Sequence, residues 1–260
     1  TMRNLRKLCP LLCLIILPCV SIADGHESKP NANPPFSMQI NVCSLKAGKN
    51  MANYEKVFNA YVKWAEKNSV DVYNARQVPL FSHADSQNPE TYEFLDILAA
   101  DFERQGKGWD LWLNTPEGQK LNAQWQSVAN CHVKLGTVMM LYYTEAMETD
   151  DERLVTWNWC SAKEGVGAEQ LMSKHKQVAS TITDDAPFIG WAAMVPTVGG
   201  ANTPGDFAHV VIYPDMQSFM AWREYSANGG WRGLRDYYAS YADCHGESLN
   251  IETVIHRPAI

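Results

Sequence analysis

The alternation of apolar and polar residues predicts a strand near the start of the chain, followed by a helix. Over 37–44, Ile40 and Val42 alternate with polar residues, which is the period-two pattern of a strand with two different faces. Helical spacing follows, with one apolar face formed by Tyr54, Val57, Phe58, Tyr61, Val62 and Ala65. Further patterns predict strands up to Val78-Pro79, over 92–99 and over 133–143, and a second helix over 115–129. The predicted order is βαββαβ.

The second part of the chain repeats this order. Trp157 and Trp159 alternate with polar residues, and helical spacing follows at Leu171, Met172, His175 and Val178. Later patterns predict strands up to Val195-Pro196, over 206–213 and over 248–256, and a helix over 231–242. The chain therefore contains the same predicted pattern twice.

Two constant offsets relate the copies. An offset of 117 places Asn41-Val42-Cys43-Ser44 on Asn158-Trp159-Cys160-Ser161, and an offset of 113 places Cys131-His132 on Cys244-His245. The second offset also places Trp109 on Trp222. We therefore predict a tandem duplication with units at 36–147 and 148–260, the alternative being chance similarity between two aromatic-rich halves.

The first 23 residues have the pattern of a signal peptide. Three basic residues precede the apolar run Leu8–Val20, and Ser21 and Ala23 are the small residues that a signal peptidase requires. The alternatives are an uncleaved anchor, although about 13 apolar residues are fewer than the roughly 20 of a spanning helix, and a lipoprotein at Cys19. We expect cleavage after Ala23, a flexible polar tether over 24–35, and an exported protein, periplasmic or secreted.

Composition narrows the classes of partner. The 260 residues are 46% apolar and 20% charged, which is typical of a globular chain. The net charge is −7, and it becomes −10 without the signal peptide, which contains three bases and no acids. The chain contains no long basic run, so we expect no nucleic-acid partner, and no membrane partner after cleavage.

Four cysteines remain after cleavage, and the predicted topology indicates how they pair. In a βαββαβ sheet with strand order 4-1-3-2, the first and fourth strands are antiparallel neighbours, so the end of one lies beside the start of the other. Of the three possible connectivities, this order favours Cys43–Cys131 and Cys160–Cys244. A metal-thiolate site has little support, because the chain has no Cys-x-x-Cys spacing, and we predict no metal.

This combination resembles the dimeric α/β-barrel superfamily, which includes the antibiotic-biosynthesis monooxygenases. The resemblance rests on the exported βαββαβ unit, on asparagine in the first strand, and on the stretch 215–222 leading to Tyr225. It implies an α+β fold of two tandem ferredoxin-like units that form a pseudo-dimeric barrel within one chain, with further self-association possible.

The resemblance also implies where the polar residues lie. Helices would cover the apolar face of the first strands, so that Asn41 and Asn158 would point into a small-ligand cavity between the units. The 113 offset pairs Asp96 with His209 on the third strands, and Arg76 and Asn74 lie on the second. We predict a mostly apolar cavity with a few polar groups.

Each of these residues also has a purely structural interpretation. The two asparagines could bond the sheet edge or a turn, and His209 could be a satisfied core histidine. Asp96 would be solvated if the strand phase were shifted by one residue, and Trp109 and Trp222 could be core anchors. We expect His132 and His245 to pack beside the disulfides.

The sequence is compatible with two functions from different classes. One is a non-catalytic protein that holds a small apolar or aromatic ligand. The other is a cofactor-independent, monooxygenase-like enzyme with His209 or Asp96 as base, and with Asn41, Asn158, Arg76, Trp109 and Trp222 holding the substrate. Gln119 and Arg232 stand where the haem-degrading members of the superfamily have histidine, which argues against haem binding through that histidine. We predict no cofactor. The copies differ most at the candidate polar sites, which favours one functional site over two.

Overall fold

The computed structural model describes residues 34–82, 92–201 and 203–258. The predicted signal peptide and nearly all of the predicted tether lie outside these residues. We call residues 36–143 the first half; its elements are β1 (Phe36–Leu45), α1 (Met51–Lys67), β2 (Tyr73–Phe81), β3 (Phe94–Ala100), α2 (Phe102–Asn114), α3 (Pro116–Val128) and β4 (Ala129–Tyr143).

A short helix, α4 (Ala146–Thr149), leads to the second half, residues 152–256. Its elements are β5 (Glu152–Ala162), α5 (Ala168–Ala179), β6 (Gly190–Pro196), β7 (Phe207–Tyr213), α6 (Met216–Tyr225), α7 (Trp231–Ser240) and β8 (Ala242–His256). A π-type turn, Ser226–Gly230, joins α6 to α7, and its Gly229 has a φ of 111°, which glycine adopts without strain. Among the described helices, none is long and apolar enough to cross a bilayer.

The eight strands form one closed antiparallel barrel. Its order is β1-β3-β2-β8-β5-β7-β6-β4, and β4 pairs with β1 to close it. Within each half the last strand lies beside the first, as the predicted 4-1-3-2 order requires. The two halves meet at the β2–β8 and β4–β6 pairs. The prediction of an α+β fold is confirmed as an eight-stranded barrel with helices.

The cysteine pairing follows from this strand order. Cys43 stands directly opposite Cys131 in the β1–β4 pair, and Cys160 stands opposite Cys244 in the β5–β8 pair. Both pairs are joined, with sequence separations of 88 and 84 residues. The predicted connectivity is confirmed, and cross-links over loops of this length stabilise by up to about 4 kcal/mol in the chain-entropy account.

The barrel interior is filled by apolar side chains from both halves. Ile40, Ile97, Trp157, Met194 and Val210 belong to one buried cluster, together with partly buried Val42 and Trp159. An eight-stranded barrel is just wide enough for side chains to fill its interior. One buried ion pair is included, in which Arg153 Nε donates to Glu252 Oε1 over 2.7 Å.

The predicted phase of the first strands was therefore wrong. Ile40, Val42, Trp157 and Trp159 face the barrel interior, whereas Asn41 shares the opposite, helix-facing side of β1 with Gln39, whose amide bonds to α2. The physical reason is that closure of the barrel buries the inner face of all eight strands, so apolar residues predominate there. Polar residues on the other side find partners on the helices.

The second crossover of each half contains two helices where the sequence predicted one. In the first half the break is set by Thr115 and Pro116: Thr115 is the N-cap of α3, its Oγ1 accepts from Gly118 N, and Pro116 takes the first helical position. A residue before proline is disfavoured in the helical conformation, so α2 ends there. The last strands also begin earlier than predicted, at Ala129 and Ala242.

Candidate functional site

A cavity of about 70 Å³ lies in the first half, between the outer face of the sheet and the helices α1, α2 and α3. Seven of its sixteen lining residues are aromatic: Tyr54, Phe58, Tyr61, Trp64, Trp109, Trp112 and Trp125. Its polar lining comes mainly from Gln39, Asn41, Arg104 and Gln105. This is the composition typical of a small-ligand site, an apolar enclosure with a few polar groups.

The prediction that the cavity lies between the two halves was wrong, because side chains fill the barrel interior there. Two predicted ligand-binding residues, Asn41 and Trp109, line the cavity in the first half. Asp96 and Arg76 lie directly behind one of its walls, in contact with Tyr54. The structure does not bring His209, Asn158 or Trp222 to this cavity; all three belong to the second half.

A chain of amides forms the polar side of the cavity. Trp109 Nε1 donates to Gln39 Oε1 over 2.9 Å, and Gln105 Nε2 donates to the same oxygen over 2.8 Å. Gln39 Nε2 in turn donates to Asn41 Oδ1 over 2.9 Å. Because an indole N–H can only donate, Trp109 fixes the orientation of the Gln39 amide and, through it, that of Asn41.

A buried ion pair supports the wall formed by Tyr54. Arg76 donates through Nε to Asp96 Oδ1 at 2.8 Å and through Nη2 to Oδ2 at 3.4 Å. The Tyr54 hydroxyl donates to Asp96 Oδ2 at 2.6 Å and accepts from Trp125 Nε1 at 3.0 Å. The Arg76 guanidinium also lies 5.0 Å from the Tyr54 ring centroid. This network ties β2 and β3 to α1 and α3.

These contacts bear on the predicted role of Asp96 as a base. Burial raises the pKa of Asp96 above its ordinary value, while Arg76 and Tyr54 act in the opposite direction. Burial and the neighbouring Asp96 raise the pKa of the Tyr54 hydroxyl, which therefore stays protonated. Asp96 is fully buried, so the prediction of a solvated surface residue does not apply. Among the described residues its carboxylate accepts from two side chains, Arg76 and Tyr54, and Tyr54 lines the cavity.

The equivalent region of the second half contains a directed chain of hydrogen bonds. Trp191 Nε1 donates to His209 Nδ1 over 3.1 Å, so the His209 proton is on Nε2. That nitrogen donates to the Tyr237 hydroxyl over 2.9 Å, and the hydroxyl donates to His175 Nε2 over 2.9 Å. The His175 proton is then on Nδ1, which is buried and has no partner among the described residues. These tautomers follow from the donor and acceptor order.

Both histidines are neutral in this environment. Burial lowers the pKa of His209 to about 3, with a contribution from the neighbouring His175, and burial lowers the pKa of His175 to about 4. His209 therefore has the contacts of a satisfied core histidine. Its ring nitrogen lies within 4.8 Å of the sulfurs of Cys160 and Cys244, but these sulfurs are bonded to each other and offer no thiolate to a metal ion.

The other two predicted residues of the second half lie apart from the cavity. Trp222 packs against Phe188 at a centroid distance of 5.6 Å and against Tyr225 at 5.4 Å. Asn158 is half-buried, and its Oδ1 has no described partner. The residues that the two offsets pair with them, Trp109 and Asn41, do line the first-half cavity, although the residue types are the same in both halves.

Gln39, Gln105 and Tyr54 are among the residues of the site that sequence reasoning missed. Gln39 is two residues from Asn41, so period-two alternation already placed both amides on one face of β1. Tyr54 was assigned to the apolar face of α1. Its hydroxyl could have indicated a polar neighbour, because a buried phenol needs a hydrogen-bond partner. Gln105 had no signal, because its helix was not predicted.

Comparison with known proteins does not identify a family. No protein-family profile matches the chain, and no curated protein matches it. Among solved structures, it is similar to a protein from Fusobacterium nucleatum proposed to be a monooxygenase, with 11% identity, a TM-score of 0.49, and coverage of 85% of this chain and 93% of that one. At these values the likeness carries no argument about activity.

Two further structures have similar values. A protein from Lactobacillus acidophilus, also proposed to be a monooxygenase, has 10% identity and a TM-score of 0.47, with 86% and 99% of the two chains covered. An anthrone oxidase-like protein has 12% identity and a TM-score of 0.46, with 86% and 95% covered. The description of the fold therefore rests on the strand order given above.

Haem does not fit the first-half cavity. A volume of about 70 Å³ is far below that of a macrocycle, and none of the described lining residues is histidine, cysteine or methionine. Two tyrosines line it: Tyr54 already bonds to Asp96 and Trp125, and burial raises the pKa of the Tyr61 hydroxyl, which therefore stays protonated. We therefore derive no chemistry through such a group.

Proposed function

We propose that the protein binds a small aromatic or apolar molecule in the first-half cavity. The observation that carries this proposal is the enclosure itself, in which seven aromatic side chains surround a small set of oriented amides. The volume of about 70 Å³ is below the roughly 150 Å³ of a cavity that holds benzene. A one-ring ligand therefore protrudes from the cavity or displaces half-buried Trp112.

The duplication is part of the same proposal. We infer that the chain consists of two ferredoxin-like units, at 36–147 and 148–260, which together form a pseudo-dimeric barrel of the monooxygenase-like type. Support comes from the same strand order in both halves and from one disulfide at the same place in each. Among the described residues the cavity lies in the first unit; at the matching place in the second, the packed rings of His175, Trp191, Phe207 and Tyr237 surround His209.

We also propose that the protein is exported, through a signal peptide at 1–23 and a tether at 24–35, to the periplasm or the medium. Two disulfides support an oxidising compartment. The net charge of −7 supports the absence of a nucleic-acid partner. Mass spectrometry of the purified protein tests cleavage after Ala23. Measurement of the oligomeric state of the purified protein tests further self-association.

The second candidate function is a cofactor-independent, monooxygenase-like enzyme. One observation favours it: Asp96 bonds to Tyr54, which lines the cavity, so a carboxylate lies one hydrogen bond from the enclosed space. Binding is the better-supported function, because Asp96 is paired with Arg76 and both nitrogens of His209 are engaged. Oxygen consumption with a panel of phenols and quinones distinguishes the two, since a binding protein consumes none.

Two glycines on α2 provide a matched test of the proposed binding site. Gly108 lines the cavity, and a Cβ there would lie 3.7 Å from the Val70 Cβ, so the rest of a leucine side chain would enter the cavity. A Cβ on exposed Gly106 would meet nothing within 4 Å. Each change to leucine stabilises the helix by somewhat less than the roughly 0.8–1 kcal/mol that separates glycine from alanine. We expect Gly108→Leu to lower the affinity for benzene at least tenfold, as measured by calorimetric titration.

Gly106→Leu is the control, and we expect it to bind benzene as the wild type does. Because both variants gain helix propensity, a difference between them reports the space inside the cavity. Equal affinity in Gly108→Leu and wild type would show that the probe binds elsewhere.

A further inference from the structure

We propose that the natural ligand of the first-half cavity is an uncharged one-ring molecule that carries both a hydrogen-bond donor and a hydrogen-bond acceptor. This inference rests on the proposed function, because it specifies the ligand of the same cavity. It follows from the hydrogen-bonding groups that the amide chain leaves unused.

The donor that faces the ligand is the amide N–H of Asn41. Trp109 orients Gln39, and Gln39 Nε2 then engages Asn41 Oδ1, so the carbonyl side of Asn41 is occupied. Asn41 Nδ2 donates to no other described residue, although the side chain is 95% buried and lines the cavity. A ligand at this position meets an N–H donor, so it needs an acceptor.

The acceptor that faces the ligand is Gln105 Oε1. This oxygen is buried and has no partner among the described residues, and Gln105 is more than nine-tenths buried in the cavity wall. Rotating the amide by half a turn would place Gln105 Oε1 against Gln39 Oε1, and two carbonyl oxygens cannot hydrogen-bond to each other. An unpaired buried carbonyl costs free energy that a ligand N–H or O–H would recover.

The charges around the cavity favour an uncharged ligand. Arg104 is the one charged side chain among the described residues that line it. Its guanidinium lies 3.5 Å from the carboxylate of Asp101 and donates to the backbone oxygen of Asp71. Behind Tyr54, Asp96 and Arg76 neutralise each other. An ionised ligand would lose its hydration without gaining a free counter-charge.

Three kinds of probe separate these requirements. The two isomers 2-pyridone and 4-pyridone are uncharged rings with one donor and one acceptor, benzene has the same ring size with neither, and benzoate carries a charge. We expect at least one pyridone to bind the full-length mature protein about tenfold or more tightly than benzene, and benzoate to bind more weakly than that pyridone, as measured by calorimetric titration.

Substitution of Gln105 assigns the effect to the unpaired oxygen. In Gln105→Leu, Gln39 Oε1 still accepts from Trp109, so the network keeps its orientation. We expect this variant to lose about tenfold in pyridone affinity while its benzene affinity is unchanged or increased. Gln105→Met is the second variant, to be used if leucine disturbs folding. Methionine is also unbranched at Cβ, and we expect the same loss of pyridone affinity from it. Asn158→Leu, in the second half, is the control that should alter no affinity.

The outcomes also separate this inference from the proposed function. If benzene and the pyridones all fail to bind, the proposed function itself is wrong. This inference is overturned if benzene binds as tightly as both pyridones. It is also overturned if the Gln105 variants bind the pyridone as tightly as the wild type does, because the cavity would then not select ligands by their hydrogen-bond donors and acceptors. Tighter binding of benzoate overturns the requirement for an uncharged ligand.

Discussion

Lowering the pH from 6.5 to 4.5 is expected to reduce the free energy of unfolding by roughly 4 kcal/mol through His175 and His209 alone. Burial lowers the pKa values of these side chains to about 4 and about 3 in the folded protein. In the unfolded chain both have the ordinary value of about 6.5. Below pH 6.5 the unfolded chain therefore binds protons that the folded protein does not, so stability is full above that pH and falls as acid is added.

The variant His175→Phe isolates this effect. At the offset of 117, the first half already has phenylalanine at the equivalent position, Phe58. We expect the pH-dependent loss between 6.5 and 4.5 to fall by about half, because one titrating group is removed and each contributes about 1.4 kcal/mol per pH unit. Urea denaturation at a series of pH values measures the free energy of unfolding of each protein. The contribution of the carboxylates cancels in the comparison with the wild type, because the same carboxylates are present in both proteins.

His245→Gln provides the control, since His245 is exposed in β8. Its stability should follow the wild-type pH dependence. If His175→Phe lost stability with acid as steeply as the wild type, the histidine chain in the second half would not be buried and neutral as described.

Arg76→Met is expected to destabilise the folded protein by about 3–5 kcal/mol, because it leaves the fully buried Asp96 carboxylate without its counter-charge. The Tyr54 hydroxyl would be the one remaining side-chain donor in the described contacts of Asp96. A loss of this size corresponds to a fall in Tm of about 10 °C for a chain of this length. Differential scanning calorimetry measures it.

The double variant Arg76→Met/Asp96→Leu tests the cause. Removing both charges should restore most of the lost stability, since replacing a buried pair by apolar residues is often neutral. Lys67→Met is the control, because Lys67 and its partner Glu117 are both exposed, and its loss should stay below about 1 kcal/mol. A double variant as unstable as Arg76→Met would show that the ion pair is not the source of the loss.

The sequence was most informative where a local pattern and the topology had to agree. The positions of Cys43 and Cys131 depend on the strand order, and their pairing confirms the order derived from the βαββαβ pattern. The repeat offsets likewise placed the strands of the second half correctly. Such features depend on which elements exist and in what order, and hydrophobic periodicity carries that information.

The strand phase could not be derived in the same way. Alternation shows that Ile40 and Asn41 point to opposite sides of β1, but it does not show which side the helices cover. The apolar side faces the barrel interior, because closure of eight strands creates a second core that a single unit does not reveal. The predicted location of the cavity failed for the same reason, although Asn41 and Trp109 do line one cavity.

The most direct test of the central claim, that the first-half cavity binds the ligand, is a titration of the isotope-labelled protein with benzene, followed by NMR of the tryptophan indole N–H groups. Trp109 and Trp125 each donate an indole hydrogen bond beside the cavity, to Gln39 and Tyr54. Their signals should shift on addition of the probe, while those of Trp191 and Trp222 in the second half stay in place. Shifts confined to Trp191 or Trp222 would contradict the account.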